Sequence, residues 1–115
     1  MAVNNPEIVD IISEDNNNNH VVLDITDHLD WSNEREHLLM LENKINSYLS
    51  FIQSAQFFEC YPTAKGKVPV IHVACYHQPS EGAKSFFREV ENILAEDGII
   101  FTYKHSYFNS PPTAI

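Results

Sequence analysis

Two segments of helical period, residues 32–54 and 80–97, each carry apolar side chains along one side only, and this asymmetry restricts the fold most. In the first, Leu38, Leu41, Ile45, Leu49 and Ile52 recur at helical spacing, while Leu39, Met40, Tyr48 and Phe51 widen the arc. Ser32 or Asn33 supplies its N-cap, and Glu34 and Glu36 sit where the positive end of the helix dipole favours acids. In the second, Pro79 and Ser80 open a face of Ala83, Phe86, Phe87, Val90, Ile93 and Leu94. Gly98, after Asp97, suits the left-handed position that ends a helix. Helices apolar on one side must bury that side against another layer.

The other layer is a sheet. Val21, Leu23 and Ile25 alternate with Val22, Asp24 and Thr26, the period of a half-buried strand. Ile8–Ser13, with Val9 and Ile11 as its inward pair, joins that strand through the turn-forming run Asn16–Asn19. Asp10 opposite Asp24 would set like charges face to face, so the expected register shifts by two. It pairs Ile11 with Ile25 and Ser13 with Leu23, leaving Asp10 against Thr26. Further strands are expected at Phe57–Tyr61, Val68–His77 and Ile99–Phe108, with a turn at Lys65-Gly66-Lys67 and Pro69 marking an edge or bulge. The order β-β-α-β-β-α-β predicts an α+β fold, a two-layer sandwich with two helices on one face of a mixed sheet. With 115 residues the chain fits one domain, expected over 1–108, followed by a tail at 109–115.

Charge is unevenly placed. Residues 1–36 hold nine acids and only Arg35 as a base, a net −8 of the chain's −9. Such a surface repels phosphate backbones, which argues against nucleic acid, and suits a basic protein or a cation. Acidity also serves solubility without any partner. No apolar run approaches the roughly 18 residues of a membrane span, so no membrane partner is expected. Met1–Asp10 lacks the basic and apolar regions of a secretory signal, and Cys60 and Cys75 form no paired motif. A cytoplasmic protein with reduced thiols is the expectation.

Three stretches carry a family likeness: VVLDITDHLDW at 21–31, EHLLMLENKINSYLSFIQS at 36–54 and YPTAKGKVPVIHV at 61–73. From His20 to about Gly98 the chain resembles a family of small bacterial proteins known only as a domain of unknown function. The resemblance implies a bacterial cytosolic origin and transfers no activity, ligand or catalytic residue.

Several patterns approach chemistry. Asp15-x-Asn17-x-Asn19 begins like a calcium loop, but His20 replaces its glycine and Thr26 its bidentate glutamate, so an Asx-rich turn accounts for it. Strand alternation puts Cys75 and His77 on one face and His72 on the other; with His105 as a third ligand they make the weak candidate for an open zinc site. Packing or surface roles account for scattered histidines as well, and no metal or other cofactor is expected. Neither cysteine has the surroundings of a nucleophile.

The richest segment, Thr26–Trp31, holds Asp27, His28, Asp30 and Trp31 between a strand and a helix, where functional loops occur. Asp27/His28 or Asp30/His28 is a candidate acid–base pair. Helix capping by Asp30 and packing of Trp31 under the first turn explain the same residues structurally. With Asp10 and Asp24 they form the candidate binding set. The aromatic residues exceed what one sheet face absorbs, which leads to an expected homodimer through the open face or strand addition at an edge. A non-enzymatic acidic module for a basic partner, such as an immunity-type inhibitor, is the favoured function. A small-molecule binder or enzyme built on the Asp27–Trp31 loop is the alternative.

Overall fold

The computed structural model describes residues 11–105. Two strands come first, β1 (Ile11–Asp15) and β2 (His20–Asp27), then two helices, α1 (Glu34–Ile52) and α2 (Ala55–Cys60). After a single 3-10 turn at Pro62–Ala64 the chain continues through β3 (Val68–Cys75), α3 (Glu81–Glu96) and β4 (Ile100–His105). The sheet order is β1-β2-β3-β4, antiparallel at the hairpin and parallel elsewhere. Each parallel step requires a crossover, and right-handed crossovers stepping the same way across a sheet place their helices on one face. The α+β class and the one-sided helical layer therefore follow the expectation, whereas the element order does not.

The covered face is built by alternation. Val21, Leu23 and Ile25 of β2 lie beside Ile71 and Val73 of β3, and Phe101 of β4 completes the floor. Onto it α1 lowers Leu41, Ile45, Tyr48 and Ile52, and α3 lowers Ala83, Phe87 and Leu94. Tyr48 tethers α1 to the sheet by donating its hydroxyl to the Asp24 carbonyl at 2.7 Å. Asn33 caps α1, accepting from the Glu36 amide at 3.3 Å, and Ser80 caps α3, accepting from the Ala83 amide at 3.1 Å.

Two expectations are corrected here. Phe57–Tyr61 is not a strand. Its residues fall in α2 and the turn after it, because Phe57 and Tyr61 lie four apart and the helical turn lets both rings meet Phe51. Both Tyr61 and Gln53 also close helical bonds, to the Phe57 and Leu49 carbonyls. The hairpin register differs by one residue: Ile12 pairs with Leu23 and Ser13 with Val22, so Ile12 packs on the core. A one-residue slip exchanges the two faces of a strand. The turn sets it. The Asp15 carboxylate accepts from the Asn17 and Asn18 amides at 3.2 and 3.3 Å and from Asn18 Nδ2 at 2.7 Å. Asn19 then takes the left-handed conformation, φ 59°, which asparagine tolerates. The expected pairing of Asp10 with Thr26 lies outside the described residues, as do Val9, Tyr107 and Phe108. Among the described residues, no helix is long and apolar enough to cross a membrane.

Candidate functional site

The C-terminal ends of β2 and β3 bring together several unusual polar groups. Asp27, the last residue of β2, continues the inward side of that strand and is buried under α1. His37, in the first turns of α1, meets it there. Its Nε2 lies 2.7 and 2.6 Å from the two carboxylate oxygens, and its Nδ1 lies 3.0 Å from the Asp30 carbonyl. A carbonyl only accepts, so Nδ1 carries a proton. One further proton lies between Nε2 and the carboxylate, and the pair is net neutral whichever partner holds it. The Leu29 amide donates to the same carboxylate at 3.2 Å. Trp31 covers the imidazole, with ring centroids 3.6 Å apart and planes 21° from parallel.

Beside this pair stands Cys75, opposite Asp27 in the β2–β3 register and buried. An Asp–His–Cys grouping suggests nucleophilic chemistry, but its electrostatics run the wrong way. Burial, reinforced by the Asp27 charge, pushes the Cys75 thiol up to about 12, so the thiolate that would attack is not formed at neutral pH. Both ring nitrogens of His37 are occupied, and neither is left to take a proton from a substrate. The adjoining hollow, walled by Leu29, Asp30, His37 and Met40, has a volume of about 140 Å³, well below the roughly 300 Å³ at which ligand pockets begin. The cluster is a neutral buried clasp joining β2 to α1.

The candidate residues from the sequence are dispersed. Asp10 lies outside the described residues. Asp24 faces the side of the sheet that no described helix covers, in one row with His72 and Thr102. Asp27 is in the clasp. Asp30 is exposed and accepts from the Ser32 amide at 3.1 Å and the Ser32 hydroxyl at 2.6 Å, bonds that hold its carboxyl below the usual range. His28 is half-buried, and its Nδ1, like the Trp31 indole nitrogen, is buried without a hydrogen-bond partner. The acid–histidine pair that forms is Asp27 with His37, which sequence reasoning missed. Its signal was present: His37 begins the buried line His37–Leu41–Ile45–Tyr48–Ile52 of α1.

The metal candidates are not brought to one point either. Cys75 faces the core and β3 ends there, so alternation does not carry on to His77. His105 is opposite Cys75 on β4, and among the described residues no group of three or more His, Cys, Asp or Glu side chains is placed to hold an ion.

Of the aromatic residues expected to spill onto the open face, Phe57, Phe58, Tyr61, Phe101 and Tyr103 lie elsewhere, while Tyr107 and Phe108 are outside the described residues. Phe101 and Tyr103 turn toward α3, with Phe87 at 5.7 and 4.4 Å between centroids, and Phe57, Phe58 and Tyr61 cluster around α2. The larger unfilled surface is instead a trough between α1 and α3. Its upper part, near 350 Å³, is walled by Leu38, Leu39 and Phe86; its lower part, near 320 Å³, by Ile45, Leu49, Val90 and Ile93. Glu42 and Phe86 border both parts, and Glu89 joins Glu42 on the rim. Leu39 is 52% exposed and Ile93 60%.

A model of a protein family of unknown function, DUF6572, matches residues 1–107. The chain belongs to this family. No curated protein and no solved structure matches it. The match to DUF6572 spans all the described elements, from the hairpin through the clasp and trough to β4. The trough therefore lies wholly within the family's matched region.

Proposed function

We propose that this protein is a non-enzymatic interaction module that seats a basic amphipathic helix of a protein partner in the trough between α1 and α3. The trough itself carries the reading: an apolar floor with two exposed hydrophobic residues and a rim on which Glu34, Glu42 and Glu89 outnumber Arg35. From Glu34 to Leu49 it runs about 22 Å at 1.5 Å per residue, enough for some four turns of a partner helix. Helix-in-groove recognition needs apolar anchors at i, i+3 or i+4, and i+7, and Leu39, Phe86 and Ile93 offer apolar lining along the trough for them. Glu42 and Glu89 form no ion pair among the described residues, leaving their charge for lysines or arginines flanking those anchors. An immunity-type pairing in a bacterial cytosol, with a basic toxin as partner, is one form this module would take.

The alternative, catalysis at the Asp27–Trp31 loop, has less support, because the clasp leaves His37 no free nitrogen and Cys75 no accessible thiolate. The test is a synthetic amphipathic peptide with leucines at helical spacing and flanking lysines, titrated into isotopically labelled protein. Resonance changes should concentrate on α1 and α3 and weaken with salt, as exposed charge pairs do. Changing Glu42 and Glu89 to lysine should abolish the peptide's preference over a glutamate-flanked version. Changes spread evenly over the molecule, or binding blind to peptide charge, would refute the assignment.

A further inference from the structure

We propose that β4 is a self-complementary edge through which two copies of the chain join into one continuous eight-stranded sheet, with Thr102 on the two-fold axis. Among the described residues the sheet order leaves β1 and β4 as its edges. An edge strand offers a row of unpaired backbone groups, and folds guard such rows with charges, prolines or bulges. The β1 edge is guarded by Glu14 and Asp15. The β4 edge, Ile-Phe-Thr-Tyr-Lys-His, has no proline and no acid, and Lys104 is its one fixed charge. Ile100 is 39% exposed and Tyr103 41%.

Charge decides which edge can meet its own copy. Joining two β1 strands would set two acidic hairpins side by side. β4 is three strands away from β1, so joining there puts the hairpins at opposite ends of the sheet. Seven spacings of about 4.8 Å separate them by about 34 Å, several Debye lengths at physiological salt. The self-repulsion of an acidic chain is least in this arrangement.

Parity decides the register. Across a two-fold axis normal to the sheet, opposed residues must share a face, so the axis passes through a residue rather than between two. Centred on Thr102, Phe101 meets the partner's Tyr103 on the helical side, and Ile100 meets the stem of the partner's Lys104 on the other. The first lays the exposed Tyr103 ring against the partner's strand, where Phe101 is already buried, and the second covers an exposed isoleucine, both favourable. Centring on Lys104 would oppose like charges.

Sedimentation velocity on the full chain tests this. The wild type should be a dimer. Thr102→Glu and Thr102→Lys should each be monomeric, because either charge faces its own copy on the axis, and mixing the two in equal amounts should restore a dimer containing one of each. Thr102→Val, which also loses the 2.6 Å contact with His72 Nδ1, should remain dimeric and separate that loss from the charge effect. Circular dichroism confirms that each variant is folded. A monomeric wild type would overturn the proposal. So would charged variants that stay dimeric alone, or a mixture that stays monomeric.

Discussion

Replacing His37 with leucine should unfold the protein more readily than any single surface change, and the size of the effect follows from the clasp. Asp27 is 1% exposed, and its carboxylate has short contacts of 2.6 and 2.7 Å with His37 and one of 3.2 Å with the Leu29 amide. Without the imidazole, a buried charge keeps a single neutral donor. Breaking a buried pair from one side costs about 3–5 kcal/mol. A domain of this size is stable by about 5–15 kcal/mol, so about a fifth of the total or more would be lost. At roughly 4 °C per kcal/mol, the Tm should fall by about 12–20 °C.

Changing Asp27 and His37 to leucine together removes both polar partners; beyond the Asp30 carbonyl that His37→Leu alone already leaves without its donor, it leaves the Leu29 amide without an acceptor, an added cost of about 1–3 kcal/mol. The double variant should therefore be more stable than His37→Leu alone. Urea denaturation of the four proteins at pH 7 measures this, and the cycle should show a coupling of several kcal/mol. Trp31 is the chain's only tryptophan and stacks on His37, so its emission reports on the clasp directly. A His37→Leu cost below about 1 kcal/mol, or additive single effects, would refute the clasp. Stabilisation by either single change would instead indicate strain kept for function, reopening the catalytic reading.

Other expectations concern single groups. Cys60 is exposed and Cys75 buried with its thiol raised from 9.0 to about 12, so a thiol reagent at pH 8 should label only Cys60 until denaturant is added. The same shift contributes stability that is complete below pH 9 and is lost as pH rises from 9 toward 12, visible as a falling urea midpoint. Burial holds His72 below its ordinary 6.5, with Asp24 opposing and Lys104 assisting, so its NMR titration midpoint should lie below 6.5 and fall further in Asp24→Asn. The depressed value means its stability contribution is present above pH 6.5 and is lost as the pH falls below that. Gly82→Ala should be close to neutral instead of showing the gain of about 1 kcal/mol that helix propensity offers, because the new methyl displaces the Glu34 carboxylate that accepts from the Ser80 hydroxyl at 2.5 Å. In a Glu34→Ala background the same change should become stabilising by thermal melt.

Much of the fold was legible because one-sided helices leave few arrangements. The apolar line of α1 ran slightly off, however. Lys44 is fully buried on that helix with its ammonium 5.4 Å from the Tyr48 ring centroid, and a lysine in sequence reads as solvent-facing. The strand expected at Phe57–Tyr61 failed because a five-residue aromatic run has no period long enough to separate helix from strand. The hairpin register rested on side-chain charge alone, whereas turn geometry set it through Asp15 and Asn19. The clasp was half visible. Asp27 was singled out, but its partner lies ten residues on, and only the helix entering at Asn33 makes that separation a contact.

The two proposed surfaces constrain each other. A two-fold axis normal to the sheet keeps both helical layers on the same side, so a dimer through β4 would present two troughs facing one way. A ligand carrying two suitable helices on one scaffold could then engage both, the second event being intramolecular. Such linkage raises apparent affinity by about 10²–10⁴ when the span fits, with no new contact. Two copies of the lysine-flanked peptide joined by a flexible linker should accordingly bind the wild type far more tightly than one copy. The monomeric Thr102→Glu variant, whose trough is intact, should lose that advantage while binding the single peptide normally. Equal gains in both proteins would mean that the second peptide finds a site within one chain, and that trough and edge act independently.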